Sequence, residues 1–331
     1  MNDITRRSFV ISAAAAGAAF GLKGPIEVFS SAAHAQGSNP IGAPQALVDQ
    51  GFAKFKVGSI EVIQVYDGHW EKAHDEKFIR NASLDETKAA LKKGGVTDAF
   101  VPISFTVTAV RVGGRTIMFD SGTGAQLMPT AGRLATKNLA AAGVQPSEIS
   151  TIIVTHYHAD HIWGLMAKET NAQLYPNAEI IVPEAEHKHW TAPELVEKVP
   201  EGARGNVRRI QATLPTWKNI KQVAAGTEVT AGVRSIATYG HTPGHTSYVV
   251  SSGSDTLIVG GDVTNIAALN LANPGWHLFD ANPNLAEEGR RKLYDQVVTD
   301  KSIITGYHWG LPGAGTLQKD GNGYALVPVA V

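Results

Sequence analysis

The stretch Thr151-Ile-Ile-Val-Thr-His156-Tyr-His158-Ala-Asp160-His161-Ile-Trp-Gly164 places four metal-competent side chains within six residues, directly after a β-branched run. Imidazole nitrogen and carboxylate oxygen make up the donor set of zinc, iron, manganese and cobalt sites. Residues two apart in an extended chain point to the same side, so His156 and His158 can face one ion. A turn into helix after them would bring Asp160 and His161 to a neighbouring position. The chain has 12 histidines in 331 residues. Three of them within six positions, around an aspartate, is not the pattern of isolated surface or core histidines such as His34, His69, His74, His187, His189 and His277.

Three later stretches share the punctuation of a strand end next to glycine. Gly240-His241-Thr242-Pro243-Gly244-His245 follows an apolar run at 233–239, Gly260-Gly261-Asp262 follows 256–259, and Tyr307-His308-Trp309-Gly310 follows 303–305. Each puts a His or Asp where it can reach a shared cleft. Between His241 and His245 the residues alone do not choose.

The elements that must position these residues follow from periodicity. Strand-like runs occupy 60–65, 103–112, 116–119, 152–155, 179–182, 233–239, 247–250 and 256–259. Helical patterns cover 84–93, 133–142, 183–190 and 286–298. In the first of these helices Asp85 and Glu86 come early and the lysines late, matching the macrodipole. Gly113-Gly114 is a hairpin-turn pair. Residues 36–56 are expected to form an extended lead-in and 57–331 the domain itself. Neither G-x-G-x-x-G after a first strand nor G-x-x-x-x-G-K-[ST] occurs, which removes the main warrant for dinucleotide or P-loop chemistry.

Composition narrows the chemistry further. The chain has no cysteine, which excludes disulfides, thiolate nucleophiles and cysteine-ligated clusters. With 29 Lys+Arg against 30 Asp+Glu there is no global field to attract nucleic acid. Residues 1–35 carry Arg6-Arg7, an alanine-rich apolar run and Ala33-His34-Ala35, in the order of an export signal. The segment resembles a twin-arginine signal, implying passage of the folded protein through that machinery to the periplasm. Its apolar run is too short to span a hydrocarbon core of roughly 30 Å, so no stable membrane insertion is expected.

The order H-x-H-x-D-H, G-H-T-P-G-H, G-D and a late His, with Asp120-Ser-Gly122 as an early D-x-G turn, resembles the metallo-β-lactamase superfamily from about Val57 onward. The resemblance implies an α/β fold, an αββα sandwich, with two divalent metal ions where the loops of two sheets converge. His156, His158 and His241 would hold the first ion, Asp160, His161 and His308 the second, and Asp262 would bridge them. Asp120 and His245 would support the ligands from behind. Zinc suits this donor set, and iron, manganese or cobalt bind the same ligands. Such a centre makes hydroxide available near neutral pH, with the catalytic carboxylates Asp160 and Asp262 orienting it or relaying its proton.

Within the superfamily the sequence is most similar to the methyl parathion hydrolase group, through Pro129-Thr130-Ala-Gly132-Arg133-Leu134 and the closing Gly321-x-Gly323-Tyr324…Val327-Pro328-Val329. That similarity implies a homodimer acting on small-molecule esters: phosphotriesters, lactones or aryl esters. Trp190 would form one aromatic wall of the pocket. Leu127 and Asn206-Val207 offer no aromatic where others are expected, and Phe279 and Trp276 are the candidate replacements. Two other readings use the same residues: a mononuclear-iron sulfur dioxygenase-like oxidoreductase and a non-catalytic metal-binding protein.

Overall fold

A computed structural model describes residues 39–331, and the candidate export segment lies outside the described residues. Its strands form two seven-stranded sheets, each laid down in chain order. The first contains β1 (Phe52–Val57), β2 (Ile60–Lys72), β3 (Val101–Val112), β4 (Arg115–Phe119), β5 (Ile149–Ile153), β6 (Glu179–Pro183) and β7 (Ile220–Val223). The second contains β8 (Glu228–Thr230), β9 (Val233–Ala237), β10 (Thr246–Ser252), β11 (Asp255–Val259), β12 (Ile303–Thr305), β13 (Ala314–Asp320) and β14 (Gly323–Pro328). Pairing is antiparallel from β1 to β4 and parallel from β4 to β7. In the second sheet only β11 and β12 run parallel.

Both sheets are apolar on both faces, and successive residues divide between two cores as the pleat requires. Val62, Ile117, Ile153 and Ile181 meet Val233, Tyr248, Leu257 and Val259 between the sheets. Their neighbours Ile63, Met118, Ile152 and Ile180 pack outward with Leu91, Ile210 and Leu214 of the helical layer. On the far side Ile258, Ile304 and Leu317 pack against Leu293, Tyr294 and Val297 of the helix Pro283–Asp300. The result is the helix–sheet–sheet–helix sandwich.

Local chemistry explains the element ends. Gly113 and Gly114, at φ 57° and 73°, close the β3–β4 hairpin in which Val112 faces Arg115; only positive-φ residues fit such a two-residue turn. The helix Leu84–Lys93 begins with a capping box, Ser83 accepting from the Glu86 amide and Glu86 accepting from that of Ser83. Ser83→Ala should therefore lower stability by about 1 kcal/mol, read as a shifted midpoint in urea with unchanged slope.

Several boundaries differ from the sequence expectation. The lead-in is not simply extended: it contains the helix Gln45–Gln50, and Phe52–Val57 is the edge strand paired with β2. Lys54 and Lys56 alternate with buried or half-buried residues there, so a polar-looking segment is half buried. The helix expected at 286–298 begins at Pro283, behind the Asn282 cap whose side chain accepts from the Leu285 amide. The helix expected at 133–142 is instead a π-helical turn, Leu134–Asn138, running into Leu139–Ala141. Among the described residues no helix is long and apolar enough to cross a membrane.

Candidate metal centre

Six strands, β4, β5, β6, β9, β11 and β12, deliver their carboxyl ends to one edge of the sandwich, and the chemically equipped loops follow these strands. The loop after β5 carries His156 and His158, then turns into the helix Ala159–Ile162 with Asp160 and His161. His241 follows β9, Asp262 follows β11 and His308 follows β12. Two groups of potential ligand atoms result, His156/His158/His241/Asp262 and Asp160/His161/His308; within each, all the atoms lie within 4.8 Å of one another.

In the first group His156 Nε2 is 2.9 Å from His158 Nδ1, and His241 Nε2 is 3.0 Å from the same nitrogen. Asp262 stands between the groups. Its Oδ2 is 3.3 Å from His241 Nε2 and 3.0 Å from His308 Nε2, and its Oδ1 is 3.3 Å from His161 Nε2. Asp160 Oδ2 lies 3.5 Å from His161 Nε2 and 3.6 Å from His308 Nε2.

The surroundings prepare the ring nitrogens for a cation. His161 Nδ1 donates to Asp120, His308 Nδ1 to the Ser104 carbonyl, and His241 Nδ1 to Asp280. Thr155 donates its hydroxyl to Asp120, so its oxygen accepts from His156 Nδ1 at 3.0 Å. In all four rings the outer bond fixes the tautomer that turns the Nε2 lone pair toward the centre. That arrangement sets lone pair against carboxylate oxygen at 3.0 Å between His308 and Asp262, which requires a proton or a cation between them. His161 Nε2 and Asp262 Oδ1 are buried without a hydrogen-bond partner. The donor set, the tautomers and these two orphaned atoms together fit divalent metal.

Charge follows the same division. Burial, then the imidazoles of His161 and His158, holds His156 well below the ordinary range; burial and His241 do the same to His158. Both stay neutral, the form that ligates. Burial alone would lower His161, but Asp262, Asp160 and Asp120 outweigh it and hold that ring well above its usual range. Burial would raise Asp262, yet His308 and His161 keep it well below the usual carboxylate range.

Of the residues expected to support the centre, Asp120 accepts from the Thr155 amide and hydroxyl and from His161, at the left-handed φ of 61°. His245 does not face the ligand atoms. Its Nδ1 lies 2.8 Å from the Thr238 hydroxyl and its Nε2 accepts from the Asp262 amide. Trp190 stands 6.0 Å from His158, ring to ring and nearly perpendicular. Phe279 is exposed and its ring meets Phe78 at 5.1 Å. Leu127 is exposed, and Asn206-Val207 lies in the helix Glu201–Thr213.

Sequence reasoning missed three buried polar side chains. Asp280 joins His241 to Arg290, which is fully buried and also donates to the carbonyls of Val263 and Pro274. Glu186, in the helix Glu184–Thr191, reads in sequence as an ordinary first-turn acid; its partners come from two distant loops. Arg290 sits in an otherwise amphipathic helix, and only its tertiary acceptors mark it.

The profile of the metallo-beta-lactamase superfamily matches residues 105–294. The chain belongs to that superfamily. Among solved structures, it is similar to the dizinc quorum-quenching lactonase AidC, at 24% identity over 85% of this chain and 98% of that one, with a TM-score of 0.74. It is also similar to AbOPH, a hydrolase in the beta lactamase superfamily, at 25% identity, TM-score 0.77 and coverage of 85% and 98%. A probable metal-dependent hydrolase from Staphylococcus aureus matches at 18% identity and TM-score 0.65, covering 84% of this chain and all of that one, 100%. A comparison with curated proteins finds no match.

Proposed function

We propose that the protein is a two-metal hydrolase of small neutral esters, with phosphotriesters, lactones and aryl esters as the substrate classes. The observation that carries this reading is the placement of Asp262 between two converging ligand groups, with its Oδ1 and the facing His161 Nε2 left without hydrogen-bond partners. Similarity to a dizinc lactonase and to another hydrolase of the superfamily supports it. His156, His158 and His241 would hold one ion, Asp160, His161 and His308 the other, and Asp262 would reach both. When bound, such a pair supplies an acidified water as nucleophile and polarises the carbonyl or phosphoryl oxygen.

The chain's own carboxylates divide the remaining work by exposure. Asp262 has a side chain only 4% exposed, whereas that of Asp160 is 20% exposed. Asp262 is held by its surroundings and fixes geometry. Asp160, the more exposed of the two, is the group that takes the proton from the attacking water at its carboxylate and returns it to the leaving oxygen as the ester bond breaks. Tyr307 holds that segment by donating its hydroxyl to the Asp160 carbonyl while its ring lies 3.9 Å from that of His161. Trp190 forms a wall beside His158.

Initial rates on zinc-reconstituted protein with methyl parathion, an acyl-homoserine lactone and p-nitrophenyl acetate test the reading, against a chelator-treated control. Turnover of at least one substrate that is lost with metal removal and regained with zinc is the expected result. Metal removal should also lower the melting temperature, since zinc at 100 times its dissociation constant stabilises by about 2.7 kcal/mol. Saturable zinc binding without turnover of any of the three would overturn the ester-hydrolase reading, and oxygen consumption by the iron form would replace it with the oxidative one.

A further inference from the structure

We propose that Glu186 is a positioning residue for the metal centre, one carboxylate that locks the two histidine loops to the helix bearing Trp190; this rests on the metal-centre reading above. The side chain is fully buried. Oε1 accepts from the Tyr157 amide at 3.0 Å and from the Trp190 indole at 2.6 Å. Oε2 accepts from the Thr242 hydroxyl and the Gly244 amide, both at 2.8 Å. Tyr157 is the residue between His156 and His158, and Thr242 is the residue after His241. The carboxylate therefore grips the chain beside all three nitrogens of the first ligand group without touching any of them.

A second observation supports the junction. A Cβ on Gly244 would sit 2.1 Å from the Glu186 backbone nitrogen, so the loop bearing His241 lies directly on the helix that carries Glu186. This explains why the second glycine of Gly240-His241-Thr242-Pro243-Gly244 is required there. The four donors approach from β5's loop, β9's loop and the helix itself, so a neutral or shorter side chain cannot satisfy them together. In Glu186→Gln the amide nitrogen faces one pair of donors whichever way it turns, and each pair includes a backbone N–H that cannot reverse. At least one buried donor is then left facing another donor.

The test is zinc affinity of the full chain, by competition with a chromophoric chelator and without substrate, alongside the melting temperature of the metal-free form. Glu186→Gln should weaken zinc binding by about 10–100-fold, the range for outer partners of metal ligands. Trp190→Phe, which withdraws only the indole donor, should weaken it less. A Gln variant that melts earlier but binds zinc like the wild type would mark Glu186 as merely structural and overturn the proposal. Where Glu186→Gln does not fold, Thr242→Val removes one donor and keeps the carboxylate; unchanged zinc affinity there overturns it equally. Zinc bound by the wild type without ester turnover would instead sink the functional reading and leave this inference standing.

Discussion

Asp262→Asn should abolish most of the hydrolysis and leave the protein unable to retain its full complement of metal. The carboxylate lies within reach of both ligand sets, with Oδ2 3.3 Å from His241 Nε2 and Oδ1 3.3 Å from His161 Nε2. Asn keeps the shape but replaces one oxygen by a donor and removes a negative charge from a centre that we propose holds two cations. An NH₂ pointing at a cation is repulsive, and the remaining oxygen can serve only one side. The loss in kcat/KM should therefore exceed the roughly 10–100-fold that follows removal of an outer partner. Metal content of the purified variant and initial rates at saturating zinc check it together. Two equivalents of bound metal with wild-type turnover would remove Asp262 from its bridging position.

The second large effect separates two histidines four residues apart in one motif. His241→Ala should cost more activity and more metal than His245→Ala. His241 directs Nε2 into the first ligand group, 3.0 Å from His158 Nδ1, so its removal deletes a ligand outright. His245 is just as buried but is spoken for: Thr238 lies on one nitrogen and the Asp262 amide donates to the other. Burial and the neighbouring His241 push its pKa down to about 3, keeping it neutral and able to accept from that amide. His245→Ala would free the Asp262 backbone and disturb the bridge indirectly, an effect in the range of about 10–100-fold. Zinc titration of both variants decides the order; equal or reversed losses would show that the support role and the ligand role have been exchanged.

The histidine and aspartate positions were legible in the chain because metal chemistry restricts donors to a few residue types and because His241, Asp262 and His308 each sit close to glycine after a strand. His156-x-His158-x-Asp160-His161 is local, and its spacing alone brings four donors together. Runs such as 116–119 and 152–155, whose apolar residues fill both faces of a buried strand, marked a mixed α/β domain; the αββα sandwich itself came from the resemblance of the ordered motifs to the superfamily. Edge strand β1 was not legible, since Lys54 and Lys56 make it look like a polar lead-in.

The residues alone did not choose between His241 and His245, since both are strand-end histidines; the resemblance favoured His241, and the tertiary structure turns His241 toward His158 while Thr238 and the Asp262 amide surround His245. Tertiary structure alone revealed Asp280, Arg290 and Glu186. Their sequence neighbours are those of any loop or helix acid or base, and their importance comes from acceptors and donors supplied by segments far away in the chain. A ligand is chosen by its own side-chain chemistry, which sequence displays. The groups that hold it in place are chosen by proximity and burial, which exist only once the two sheets have packed.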